Sequence, residues 1–451
     1  MSNMKKKKLL KNRLVGLAML IGVGSAGAMD LLQAYEAARK QDPSLLASRA
    51  NAEAGRERLP QARAQMLPNL SASLSQNNNQ LTSITPDFLG REQTTNRDYR
   101  SSNQTVQLRQ PLFRPFLISQ YRQTEAQVLD AEATLAQDEQ NLAVRVSGAY
   151  FDAVLSRDQL ALVLAQRNTL TAQLEGTRKM FAAGSGTRTD VDEAQARLDM
   201  VVAQEIEARQ NVAFTLRQLQ ILVNEPIKQL SSLNVAKLKL EGPKPADLDD
   251  WTLRAEQNSP QLASLKAQLE AARQEVKKAQ SGHLPTLDAI AQLTSSESEN
   301  VISVSSRYNN NSIGLQLNIP IFSGGGVNAS VRQALANVDR AEQALEAGRR
   351  DLGVKVHKHF RGITENIPKV AALEQALRSA EQLIVSNKKS FQAGSRTIID
   401  ILNAEQQHMV VSRDLAQSRF MYLISRINLL ALVGGADMQM VNEINLAFAA
   451  N

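Results

Sequence analysis

Residues 181–185 read Phe181-Ala182-Ala183-Gly184-Ser185, and residues 391–395 read Phe391-Gln392-Ala393-Gly394-Ser395. Each run closes a long helical stretch, and each glycine is followed six residues later by an aspartate, Asp190 and Asp400. The same 210-residue separation carries Leu222-Val223 onto Leu432-Val433. Upstream, a separation of 217 carries Pro43, Leu45, Ala50, Glu53 and Arg56 onto Pro260, Leu262, Ala267, Glu270 and Arg273, and Leu67-Pro68 onto Leu284-Pro285. Solenoid units repeat at roughly 20–50 residues, so a period this long marks a duplicated half-domain. Two equivalent halves stand side by side, and function is expected on their shared axis.

The chain has 451 residues and no cysteine, which excludes disulfides, thiolate metal sites and a lipidated N-terminal Cys. Lys5 to Lys8, Lys11 and Arg13 precede an apolar run from Leu14 to Val23 and then Ala26-Gly27-Ala28, the pattern of an export signal cleaved near Ala28. Those first 28 residues hold six basic and no acidic groups, so removing them takes the net charge from +7 to +1. No basic stripe remains to contact phosphates, and nucleic acid is excluded as a partner.

Ala, Leu, Glu and Arg from Asp30 to Met66 predict helix, bent by Pro60 and ended by Pro68. Leu70, Ala72 and Leu74 then alternate with Ser71, Ser73 and Ser75, a strand with one apolar face. Asn77 to Asn103 reads as a long polar loop before alternation resumes at Val106 and Leu108. In the second half Leu287, Ala289, Ala291 and Leu293 form one alternating set and Ile313, Leu315 and Leu317 another, with a polar loop from Ser295 to Asn311 between them. Phe116 to Ala182 contains no proline, and at 1.5 Å per residue it predicts roughly 100 Å of helix. A second helix returns from about Asp190 to Val223. Val327 to Gln392 and Ile399 to Leu430 copy this hairpin, with a kink or break expected at Pro368. Positions 399, 402, 406, 409, 413, 416, 420, 423, 427 and 430 follow coiled-coil spacing, and all but Gln406 and Arg413 are apolar. Asn234 to Leu240 alternates enough for a short strand.

The expected organisation is a signal peptide over 1–28, a first repeat over 29–240 and a second over 241–451. The first holds a strand pair over 68–113 and a helical hairpin over 116–224. The second holds a strand pair over 285–322, a hairpin over 327–433 and a C-terminal tail. Four amphipathic strands cannot close a membrane barrel, which needs about eight or more, so either other copies complete it or the strands form small soluble sheets capping a helical bundle; the export signal and the long polar loops favour the barrel. A trimer supplies twelve strands. With 4% aromatic residues the interfacial girdle would be thin.

This order of signal, helix, strand pair and long helical hairpin, given twice, resembles the TolC family of outer-membrane channel proteins. The Leu-Pro pairs that lead into strands, the two Phe-x-x-Gly tips and their aspartates carry the resemblance. The run from Leu32 to Asp42-Pro43 resembles the type I secretion branch. The resemblance implies a mainly α chain with membrane β. A homotrimer would form a twelve-stranded outer-membrane barrel continued by an α-helical coiled-coil tunnel across the periplasm. It implies a passive exit duct for proteins or small molecules, without catalysis, cofactor or metal. A periplasmic adaptor would join it to an inner-membrane ABC transporter or proton-driven pump.

At the tips, Gly184 and Gly394 can end helices while Ser185, Thr187, Thr189, Asp190, Ser395 and Thr397 fit ordinary capping. Asp400 fits capping less well, being expected inside the returning helix. The resemblance gives these residues further roles. Asp400 would face the axis as a ring of carboxylates at the periplasmic entrance, with Asn403 standing where a second acid is expected. Arg396 would latch a neighbouring hairpin at Thr189 and Asp190. Phe391 replaces a hydroxylated aromatic and cannot donate to that acid. Gly184, Ser185, Gly394 and Ser395 would receive the adaptor. A soluble periplasmic coiled-coil adaptor is the competing architecture, and a periplasmic enzyme has no catalytic constellation behind it. His357 and His359 fall on different helix faces, and Gly324-Gly325-Gly326 lacks a P-loop lysine and reads as a hinge.

Overall fold

A computed structural model describes residues 28–298 and 306–448. The expected export signal lies outside the described residues except for Ala28. Helix α1 (Leu31–Gln41) starts in a capping box in which Asp30 Oδ1 accepts from the Gln33 amide at 2.8 Å. Helix α2 (Pro43–Arg56) follows, with Asp42 as cap and Pro43 at its first position, and the chain bends at Glu57 into α3 (Arg58–Ala64), which contains Pro60.

Strands β1 (Asn69–Pro86) and β2 (Glu92–Phe113) form one long antiparallel hairpin. The polar loop expected from Asn77 to Asn103 is therefore mostly strand, and only Asp87 to Arg91 turn. Beyond the apolar rows both faces of the hairpin carry polar side chains, so the alternation fades. The backbone ladder continues because its hydrogen bonds do not depend on side-chain polarity.

Helix α4 (Pro115–Ala182) and α5 (Arg188–Val223) make the first long hairpin. After α6 (Leu248–Asn258), α7 (Pro260–Gln280) repeats α2, its first residue again a proline. Strands β3 (Thr286–Ser298) and β4 (Ser306–Asn318) again extend into the expected loop. Helix α8 (Gly326–Gln392) and α9 (Ile398–Leu432) form the second hairpin, and α10 (Met438–Asn445) closes the described chain. Helix α8 runs unbroken through Pro368. Proline removes one backbone donor, while packing along α9 holds the helix on both sides of the gap. The short strand expected over 234–240 is not formed; Asn234 caps a turn there, its Oδ1 accepting from the Ala236 amide at 3.1 Å.

The sheet runs in the order β1-β2-β3-β4, all neighbours antiparallel. Register places Ala72 beside Val106 and Val106 beside Leu293, with Leu108 beside Ala291 and Ala291 beside Ile313. One apolar face therefore crosses all four strands, and it is bare in the single chain: Leu70 is 70% and Ile313 91% exposed. The opposite face carries Ser71, Ser73, Thr105, Gln107, Gln292 and Ser312. Among the described residues, no strand pairs with the outer edge of β1 or of β4.

The main core lies midway along the long helices. Tyr150, Phe151, Phe420 and Phe448 pack together there, Phe151 stacked on Phe448 at 5.5 Å between centroids. The Tyr150 hydroxyl donates to the carbonyls of Met29 and Ser231, both at 3.1 Å, and burial raises its pKa. Asn445 of α10 accepts from the Leu31 amide at 3.0 Å, so the tail fastens the first helix.

The buried seam of α9 includes Ile401, Ala404, Val411, Leu415, Ser418, Tyr422, Ser425 and Leu429, one residue off much of the expected stripe. Small residues serve where α8 comes close: a Cβ on Gly362 would stand 2.4 Å from Ser425 Oγ. Leu402, Phe420, Leu423 and Ile427 of the expected stripe are buried too. Helix α9 contacts both α8 and α4, so it carries two seams where a simple coiled coil carries one.

Candidate functional site: the hairpin tips

Both tips are built by the same local chemistry. Helix α4 ends as the Ala183 amide bonds Lys179 O at 3.0 Å and the Ser185 amide bonds Met180 O at 2.9 Å. Gly184 between them has φ +73°, and Gly394 at the second tip has φ +76°. L side chains rarely adopt that region. A Cβ on either glycine would meet nothing within 4 Å in the chain, so backbone conformation and not crowding requires glycine there.

The next helix starts in a capping box. Thr187 Oγ1 accepts from the Asp190 amide at 3.1 Å, while the Thr187 amide donates to Asp190 Oδ2 at 3.0 Å. The Thr397 amide likewise donates to Asp400 Oδ2 at 2.9 Å, and the Thr397 hydroxyl donates to it at 2.8 Å. Asp400 lies inside α9, as expected, yet as its third residue it completes the capping box, so it fits capping after all. A capping box uses the third helical residue as well as the cap, which puts an acid six past the glycine at the helix start. Hydrogen bonds from Thr397, backbone and hydroxyl, hold the Asp400 carboxyl below the usual range, and the Arg396 charge adds to this.

Within the chain Arg396 Nη1 donates to Asp400 Oδ1 at 3.3 Å, a contact inside its own tip. Thr189 is exposed, and Asp190 is half-buried and engaged by Thr187. Phe391 packs, half-buried, against a cluster of Leu170, Val201, Ile398, Ile401 and Leu402 that joins the two hairpins. Its apolar ring suits that position, where a hydroxyl would need a partner. Ser185 and Ser395 each turn a hydroxyl back onto a helix carbonyl, Met180 O and Ser390 O, at 3.1 Å.

The contact missed in the sequence involves Asn403. Its Oδ1 accepts from Arg197 Nη2 of α5 at 2.9 Å, and Gln166 Nε2 of α4 reaches Gln406 Oε1 of α9 at 3.1 Å. Arg197 also pairs with Glu193 at 2.8 Å. Nothing local marks Arg197, since its partner lies 206 residues away. Among the described residues no cluster of His, Cys, Asp and Glu is arranged to hold a metal.

A family model for outer membrane efflux proteins matches residues 34–225 and again 251–435, one match to each half. The alkaline protease secretion protein AprF of Pseudomonas aeruginosa is 33% identical over 433 residues, covering 95% of this chain and 90% of the relative. The outer membrane protein TolC of Escherichia coli is 30% identical, covering 96% of this chain and 89% of the relative. The fold is similar to the crystal structure of the Campylobacter jejuni CmeC outer membrane channel, at TM-score 0.76 and 16% identity, covering 92% of this chain and 89% of that one. These matches set aside the soluble adaptor, whose relatives would not carry the duplicated unit. The chain belongs to the outer membrane efflux protein family, the TolC family, and is an outer-membrane exit duct that reaches into the periplasm.

Proposed function

We propose that three copies of the chain join into a twelve-stranded barrel and a single helical tunnel that releases proteins by type I secretion. The observation that carries the trimer is the open sheet: an apolar face continuous over four strands, with β1 and β4 unpaired at their outer edges. Unpaired backbone edges are not tolerated in lipid, and twelve strands lie within the even-numbered range of closed barrels. Similarity to a protein named for alkaline protease secretion favours protein cargo. An inner-membrane ABC transporter would supply energy through a periplasmic adaptor, and a proton-driven pump would replace it if the cargo were small molecules.

In this assembly three Asp400 carboxylates surround the periplasmic entrance and favour cations. Arg396 leaves its own Asp400 to latch a neighbouring hairpin at Thr189 and Asp190. The adaptor packs on the tips at Gly184, Ser185, Gly394 and Ser395. The test is to supply the chain to cells that hold an ABC transporter, an adaptor and a protease substrate but lack an outer-membrane duct. Protease in the medium and heat-resistant trimers in the outer membrane are expected. Trimers without secreted protease would overturn the protein-cargo reading, and regained drug resistance instead would assign efflux.

A further inference from the structure

The polar face of the sheet is almost free of charge across the apolar band, carrying Ser, Thr, Gln and Asn, until its helix-side end. There Asp288 of β3 is buried to 2% exposure beneath two arginines. Arg109 of β2 donates to Asp288 Oδ2 from Nε at 3.1 Å and from Nη2 at 2.6 Å. Arg114, at the start of α4, donates from Nε to Oδ1 at 2.8 Å and from Nη2 to Oδ2 at 2.5 Å. The arginine side chains remain 44% and 30% exposed. Arg114 also lines a recess of about 750 Å³ at the junction of sheet and helices. The recess holds Lys278 as well, but Glu275 matches that charge at 2.5 Å.

Two guanidinium groups therefore share one carboxylate, and each copy presents one positive charge in excess. Register fixes the direction in which it faces. Arg109 sits in the same alternation of β2 as Thr105 and Gln107, and Asp288 in that of Gln292, opposite the lipid-facing Leu108 and Ala291. A burial this complete removes Asp288 from solvent while its two partners stay in reach of solutes.

We propose that Arg109 and Arg114, held by Asp288, form a cationic collar inside the duct where barrel meets tunnel, a binding site for multiply charged anions. The proposal rests on the trimeric reading, which brings three such clusters around one axis. Asp288 takes the Nε and Nη2 donors of both arginines, which leaves each Nη1 and the excess charge for an anion, and a ring of charge in a pore sets which ions linger. Asp288 is a positioning residue: it fixes both forks and lowers the collar's charge without touching the ligand.

Trimers in planar bilayers, with inorganic tripolyphosphate added from the barrel side, test this without any passage through the periplasmic tips. Concentration-dependent block of the wild-type current is expected, weakening at high salt. Arg109→Gln and Arg114→Gln should each weaken the block, Arg109→Lys should retain it, and Asp288→Asn should strengthen it. Equal block in all variants, or block by spermine in the same order, would overturn the collar. If one arginine variant fails to assemble, the other makes the same removal of charge. A wild-type chain that forms neither trimers nor channels would instead refute the assembly on which the collar depends.

Discussion

Arg197 and Asn403 join the two halves of the duplicated chain near the tips: the guanidinium Nη2 of α5 donates to the amide oxygen of α9 at 2.9 Å. Asn403 is the position at which an acid was expected, and its neutral oxygen lets Arg197 hold Asn403 and Glu193 together. Replacing either partner by Ala should loosen the contact between the hairpins at a cost of about 1 kcal/mol. Single-channel recordings should then show larger or more frequent openings, whereas Asn403→Asp should reduce them. Unchanged conductance in all three would mean the bond does not restrain the tips.

Thr187 caps α5, and its removal exposes the first-turn amides to unsatisfied bonding. Thr187→Ala should destabilise that helix start by about 1 kcal/mol, and Thr187→Ser should restore most of it. Amide exchange at residues 188–191 reads the effect. Protection equal to wild type in the Ala variant would show that the capping box is dispensable.

Asp400 carries its own pH signature. Its folded pKa is depressed, so the bonds to Thr397 and Arg396 contribute fully above the unfolded Asp value of about 3.9 and are lost as pH falls through the lower folded value. The second tip should therefore keep its amide protection down to pH values at which an ordinary Asp is protonated. In Asp400→Asn the acid-dependent loss should vanish. A titration of Asp400 by NMR at or above the ordinary range would contradict this.

Gly394 tests the tip without disturbing the core. Gly394→Asn, which tolerates positive φ, should preserve the turn, while Gly394→Val should strain it by roughly 1–2 kcal/mol. A Cβ at this position meets nothing within 4 Å in the chain. If the adaptor approaches this backbone, Gly394→Asn should lose export although trimers and turn persist. Full export with Asn would remove the glycine from the docking surface.

Phe448 is almost fully buried and stacks on Phe151. Phe448→Ala should cost about 3–5 kcal/mol, seen as a lower thermal midpoint of the assembled protein. A midpoint within a degree of wild type would mean the tail does not build the core.

Much was readable without coordinates because duplicated residues constrain one another. Gly184 with Gly394, Pro43 with Pro260 and Leu67-Pro68 with Leu284-Pro285 fix helix ends and strand starts by local rules, which act within a few residues. The apolar alternation of Leu287 to Leu293 likewise marks one wet and one dry face. Where both faces are wet, from Asn77 to Asn103, no such period exists, and the strand pairing leaves no mark in the sequence. The heptad stripe of α9 marks only part of its buried surface for a related reason: heptad reading assumes one neighbour, and this helix packs against both α8 and α4.

The sequence by itself determined the two halves, the long helices, the glycine tips and the need for more strands than one chain owns, since each follows from local backbone preference or from spacing. The tertiary structure alone decided that Arg197 meets Asn403 and that Asp288 gathers Arg109 and Arg114. Those partners lie on different strands or helices, and only packing and register set the distances over which a hydrogen bond or ion pair can form.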